Sequence, residues 1–192
     1  MKKGDYISAI LRSKKTVFSF KDIALLWRDG SSAARVRINY YIKNNDLRHI
    51  RRGLYAKDEH YDRFELATRI FTPAYVSFET VLAQKGVTFQ YYSQIFSASY
   101  LTREITIDNQ IYSFRKIKDS VLTSVSGLED KGEYLQAGKE RAFLDALYSY
   151  SDYYFDNLTV DWNKVFEILP IYDNKNMEKK VKKLYDEQQR SA

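Results

Sequence analysis

The 192 residues include no cysteine, so neither a disulfide framework nor a thiolate metal site can form, and catalysis by a thiol is excluded. That composition fits a reducing cytosol. Glycine is scarce, with seven residues, and none falls in a spacing that cradles phosphate, so the P-loop and dinucleotide fingerprints are missing. The two histidines, His49 and His60, would need another ligand set before they could hold a metal. No stretch approaches the roughly 18 apolar residues that a membrane-spanning helix requires. The N-terminal Met1-Lys2-Lys3-Gly4-Asp5-Tyr6 runs straight into amphipathic sequence, which reads as a soluble, unexported, cytoplasmic protein without a membrane partner.

What is present is ample apolar material and an uneven distribution of charge. The hydrophobic share is 44% and the aromatic share 16%, enough to bury a core without metal or disulfide support in a chain long enough for two modest domains. Residues 1–57 hold 14 Lys or Arg against 4 Asp or Glu, a net +10, whereas the remaining 135 hold 17 against 21, a net −4. A cationic module thus precedes a mildly acidic one. Positive charge gathered in one segment points to a polyanion, because Lys and Arg neutralise phosphates and release counterions.

Within that segment, Tyr6, Ile7, Ile10 and Leu11 form one apolar stripe of a first helix. Ser19 stands where an N-cap belongs, ahead of a second helix from Phe20 to Trp27. Asp29-Gly30-Ser31 reads as a tight turn with Gly30 in the left-handed position, and Ser31 or Ser32 as the cap of a third helix running to about Asn44. On that helix Ala34, Ile38, Tyr41 and Ile42 share one face. The opposite face displays Ser32, Asn39, Tyr40 and Lys43 with Arg35 and Arg37 on its flanks, side chains that donate to phosphates and base edges. A short hairpin over Leu47–Ala56, turning near Arg51–Gly53, adds Arg48, Arg51 and Arg52. Helix, helix, turn, helix and basic hairpin is the order of a winged helix-turn-helix, whose third helix enters the major groove of double-stranded DNA.

The polar run 58–62 reads as a linker, dividing a winged domain over 1–57 from a mixed α/β domain over 63–192, for an α+β protein. In the second part, helices are expected from Arg63 to Phe71 and from Phe78 to Lys85. A β-hairpin is expected over Ile105–Ile117 around Asp108-Asn109, giving a small antiparallel sheet. Further helices follow from Lys139 to Tyr148, from Trp162 to Leu169 behind an Asp161 cap, and from Asn176 to Tyr185.

Three stretches then carry a family likeness: Arg51-Arg52-Gly53-Leu54-Tyr55-Ala56; Pro73-Ala74-Tyr75-Val76-Ser77-Phe78-Glu79-Thr80-Val81-Leu82 with Gly86-Val87; and Gly138-Lys139-Glu140-Arg141-Ala142-Phe143-Leu144-Asp145-Ala146-Leu147. With these, over most of its length, the chain resembles the type IV antitoxins of the abortive-infection AbiEi family. The third stretch has Lys139 where the family often has proline. The resemblance implies a winged domain that binds operator inverted repeats and represses its own operon. It also implies a C-terminal domain that opposes a nucleotidyltransferase-like toxin, with or without a stable complex.

Other chemistry is thinly represented. His60 with Glu59 and Asp62 offers a weak metal site at most, and Glu140 with Asp145, or Glu129 with Asp130, offers carboxylates without a partner set; no cofactor and no catalytic residue is expected. Phe89-Gln90-Tyr91-Tyr92 and the run Tyr148–Phe155 supply rings for a core or for a binding surface. The lysines of the last helix, Lys175, Lys179, Lys180, Lys182 and Lys183, supply either a second DNA contact or a solvated basic face. The rival to DNA binding is a winged-helix protein-interaction module; a nucleic-acid hydrolase would need clustered acids or histidines that the chain does not offer.

Overall fold

Ser19 ends one short strand and starts a helix, and its side chain does both jobs. Its hydroxyl accepts from the Asp22 N–H while the Asp22 carboxylate accepts from the Ser19 N–H, a reciprocal cap that fixes where the helix begins. The computed structural model describes residues 5–90 and 92–191, so Tyr91 of the expected aromatic cluster lies outside the described residues. The chain divides into two units, Met1–Ile70 and Phe71–Ala192.

The first unit runs α1 (Asp5–Arg12), β1 (Val17–Ser19), α2 (Phe20–Trp27), α3 (Ser31–Lys43), β2 (Arg48–Arg51), β3 (Leu54–Ala56) and α4 (Arg63–Ile70). The apolar stripes of the three leading helices meet in one cluster of Ile10, Phe18, Ile23, Trp27, Ile38, Tyr41 and Leu47. Each such side chain contributes about 1.5–3 kcal/mol by leaving water. Trp27 can be buried because its indole N–H donates to the Tyr6 carbonyl at 2.8 Å.

Three details differ from the sequence reading. The left-handed residue between α2 and α3 is Arg28, with φ 56°, which closes α2 through its own N–H; Gly30 is extended, with φ −68°, and caps α3 without a side chain. Ser31 and Ser32 therefore lie inside the first turn. Second, β1 joins the hairpin in a three-stranded antiparallel sheet of order β1-β3-β2. Third, α4 belongs with the first unit instead of the second. Its Glu65, 1% exposed, accepts from the Thr16 N–H at 2.8 Å, the Thr16 hydroxyl at 2.7 Å and Arg69 Nε at 3.0 Å. A carboxylate so enclosed is stable only with those donors in place, and the division accordingly falls after Ile70, not at 58–62.

In the second unit the small antiparallel sheet that was expected is one edge of a larger mixed sheet. Six strands, β4 (Ala74–Val76), β5 (Ile95–Ser99), β6 (Arg103–Ile107), β7 (Gln110–Lys116), β8 (Leu128–Asp130) and β9 (Leu135–Ala137), lie in the order β6-β7-β5-β4-β9-β8. The foreseen hairpin is β6–β7, turning on Asp108 and Asn109 with φ 48° and 60°, both left-handed as a tight hairpin requires. Parallel pairing of β5 with β7 and of β4 with β9 makes the sheet mixed.

Helices α5 (Phe78–Gln84), α6 (Asp119–Leu122), α7 (Lys139–Ser149), α8 (Trp162–Ile168) and α9 (Lys175–Ser191), with a 3-10 turn at Leu169–Tyr172, complete this unit. Helix α7 is its centre: Arg141 through Leu147 are all buried, and α5 and α8 pack on it. The protein is therefore α+β. Among the described residues no helix is long and apolar enough to cross a membrane.

Candidate nucleic-acid interface

Helical periodicity turns Ala34, Ile38 and Tyr41 into the core and leaves the other side of α3 in water. Ser32, Arg35, Asn39, Tyr40 and Lys43 are exposed, as expected. Arg37 is not equivalent to them. Its Nε donates to Asp29 at 2.9 Å, the guanidinium lies 3.6 Å from the Tyr6 ring centroid, and its side chain is only 31% exposed. The hydrogen bond to Asp29 raises its affinity for the proton. Arg37 therefore ties α3 to α1 and to the preceding turn, and Arg35 is the arginine that α3 presents outward.

Arg35 is also the link to the hairpin. Its guanidinium carbon stands 6.0 Å from the Phe20 ring centroid, and the Phe20 N–H donates to the carbonyl of Gly53, at the hairpin tip, at 3.0 Å. Burial raises the Tyr55 hydroxyl's pKa, and the Arg35 charge opposes that rise. Gly53 takes φ 77°, a turn position that a β-carbon would strain, and so sets Arg51 and Arg52 next to it at the tip. Arg52 is exposed and Arg51 half-buried.

Arg48, at the base of the hairpin, is elsewhere. It lines a shallow hollow of about 510 Å³ with Ile42, Asn45, His49 and Lys57. Of the nine residues proposed from sequence, then, Arg35 stands near Phe20, Arg52 is exposed and Arg51 half-buried with its Nη1 enclosed beside Gly53, and Ser32 and Tyr40 line a groove along α3 with the anchored Arg37. Asn39 and Lys43 share the exposed side of that helix, and Arg48 stands apart.

Two residues on this helix were missed. Ala33 and Val36 are exposed, Val36 to 72%, and with Ser32, Tyr40, Tyr41 and Arg37 they line a groove of about 660 Å³. Both fall off the apolar stripe by sequence position, which is the signal that could have found them.

The alternative sites are taken up by structural contacts. Asp145 has no exposed surface, and its carboxylate accepts from Ser77 Oγ at 2.7 Å, Tyr172 Oη at 2.6 Å, Tyr75 Oη at 3.0 Å and Arg141 Nε at 3.3 Å. Burial still raises its pKa, against the lowering effect of Arg141. Glu140 accepts from the Asp161 N–H instead of approaching Asp145 as a second acid, and Glu129 pairs with Lys131 at 2.8 Å. His60 lies 3.7 Å from Glu59, both widely exposed, and Asp62 spends its carboxylate on the N–H groups of Phe64 and Glu65. Among the described residues no group of three His, Asp or Glu is arranged to hold a metal. The tyrosine run is largely a ladder of rings, Tyr150 on Tyr153 at 5.1 Å and Tyr153 on Phe155 at 4.7 Å, from which Tyr154 projects at 81% exposure.

No protein-family model and no curated protein matches the chain.

Proposed function

We propose that the first unit is a winged helix-turn-helix that binds double-stranded DNA, with α3 in the major groove and the β2–β3 hairpin as a wing against the backbone or minor groove. The observation that carries this reading is the exposure of Arg35, Asn39 and Lys43 on one helix and of Arg52 at the hairpin tip, with Phe20, 6.0 Å from the Arg35 guanidinium, hydrogen-bonded through its N–H to the Gly53 carbonyl of that tip. In this reading Arg35 and Asn39 discriminate bases, while Arg51, Arg52 and Lys43 contribute sequence-independent phosphate affinity.

The resemblance to AbiEi antitoxins extends the proposal. The protein represses its own operon by binding inverted repeats and acts as the antitoxin of a type IV toxin-antitoxin system in phage defence, against a nucleotidyltransferase-like toxin. Rescue of growth on co-expression with such a toxin, encoded beside it, tests that part.

The DNA-binding part is tested by fluorescence anisotropy of labelled duplexes across a salt series. Replacing Arg51 and Arg52 by Ala should weaken binding to every sequence and reduce the slope of log K against log salt by about 0.9 for each phosphate no longer neutralised. An unchanged slope would remove the wing. The rival is a protein-interaction module; absence of any retarded duplex at micromolar protein and moderate salt would favour it.

A further inference from the structure

We infer that α3 reads the C5-methyl groups of thymine, with Val36 and Ala33 as the apolar contacts, so that the DNA it selects carries A·T pairs where the first two turns of the helix enter the major groove; this rests on the DNA-binding reading above. Val36 is 72% exposed, and an aliphatic side chain so placed gains nothing from burial until a partner covers it. It does not stand alone. Ala33 and Val36 are the third and sixth residues of α3, so they project from the N-terminal half of the helix, the half whose residues approach base edges in helix-turn-helix complexes. Together with Ser32 and the Tyr40 ring they line a groove of about 660 Å³.

The surrounding charge argues for a duplex as the occupant. Residues 1–57 carry a net +10, and Arg35, Lys43 and Arg52 are exposed on α3 and at the hairpin tip. An apolar partner protein would have to desolvate those cations, whereas a duplex supplies phosphates for them and, in its major groove, an apolar group. Only thymine among the four bases displays a methyl group there. Asn39, exposed one turn beyond Val36, adds a side chain that pairs bidentately with adenine. Methyl contact and adenine contact on one helix face select the same base pair.

The test uses the full chain and does not require the operator sequence. The tightest duplexes are recovered by selection from a random pool, and each is then resynthesised with deoxyuridine for thymidine at single positions, which removes the methyl group and leaves the Watson–Crick pair intact. Wild-type protein should lose about four-fold in affinity for each contacted methyl removed. Val36→Ala, which keeps an exposed position helical, should bind the thymidine duplex more weakly and lower the thymidine-to-deoxyuridine ratio at the position that Val36 contacts, leaving the ratio at the Ala33 position as in the wild type. Arg52→Ala should weaken both duplexes alike and keep the wild-type ratio. Equal wild-type affinity for the two duplexes, selected sites without thymine, or a ratio that Val36→Ala leaves unchanged would each overturn the methyl contact while leaving DNA binding in place. Failure to retard any duplex would instead overturn the DNA-binding reading itself.

Discussion

Arg35 and Arg37 stand two residues apart on one helix, and their replacement should have opposite consequences. In Arg37→Ala the protein loses a charge-assisted hydrogen bond to Asp29 and the stacking of the guanidinium on Tyr6, and the Asp29 carboxylate, 12% exposed, is left without that partner. Hydrogen bonds to charged groups contribute about 1.5–3 kcal/mol and an exposed cation–π contact about 0.5–1 kcal/mol. The Arg37 side chain is 31% exposed, so solvent screening reduces the total to roughly 1–2 kcal/mol. For a chain of this size that corresponds to a fall of about 2–8 °C in melting temperature. Arg35→Ala removes only a distant contact with Phe20. Its stability should stay within about 0.5 kcal/mol of the wild type, while affinity for the selected duplex falls roughly 5- to 150-fold and discrimination at one base pair relaxes. Thermal and urea unfolding by circular dichroism, beside anisotropy titrations of both variants, separate the two effects. Equal destabilisation by the two substitutions would refute the assignment of Arg37 as anchor and Arg35 as outward contact.

Acid should unfold the first unit partly through Asp22. Burial alone would raise its pKa, but hydrogen bonds from Lys15 and Ser19 and the Lys15 charge lower it from 3.8 to about 2. The stability it lends is therefore complete above pH 3.8 and lost as pH falls towards 2, to the extent of about 1–2 kcal/mol after screening; Asp22→Asn should flatten that limb of the stability curve. Arg141→Met leaves the enclosed Asp145 carboxylate without its cation and should cost about 3–5 kcal/mol. Tyr172→Phe removes one donor at 2.6 Å and should cost about 1.5–3 kcal/mol; the reverse order by urea denaturation would contradict the network. Gly127→Ala adds a β-carbon 2.6 Å from Ile168 Cδ1 at φ +72°, and overpacking with left-handed strain should lower stability by about 2–4 kcal/mol in the same assay.

Much of the first unit was legible because its signals are local. The stripe of α1, the Ser19 cap and the 3.6-residue spacing of Ala34, Ile38 and Tyr41 are written within a few residues of where they act. What failed to show was long-range. Strand β1 is three residues that only the pairing of Val17 with Ala56 makes a strand, and α4 joins this unit through Glu65 and Thr16, 49 positions apart. In the second unit the hairpin announced itself by alternation, whereas β5 is buried along its whole length and has no period, and β8 and β9 are too short to have one. The outward face of α3 followed from periodicity. That Arg37 is not part of its free charge depended on Tyr6, far earlier in the chain, and no pattern within the helix carries that information.

The acids of the N-terminal segment explain why its charge concentrates where it does. Only four carboxylates serve residues 1–57, and two of them are committed inward: Asp22 holds Lys15 at 2.8 Å and Arg69 at 3.3 Å, and Asp29 holds Arg37 at 2.9 Å. Glu65 reaches back from α4 to take Arg69 as well. The cations so paired are those that fasten elements together. Arg35, Lys43 and Arg52 have no salt bridge among the described residues and are exposed on α3 and at the hairpin tip, so the two committed carboxylates fix the scaffold and leave these three cations to the solvent. Such unpaired charge repels itself and is screened within about 8 Å at physiological ionic strength, which leaves it little long-range use. Its effect is largest on a charged partner brought into direct contact, which is the range at which the proposed duplex would meet the exposed hydrogen-bonding side chains of α3.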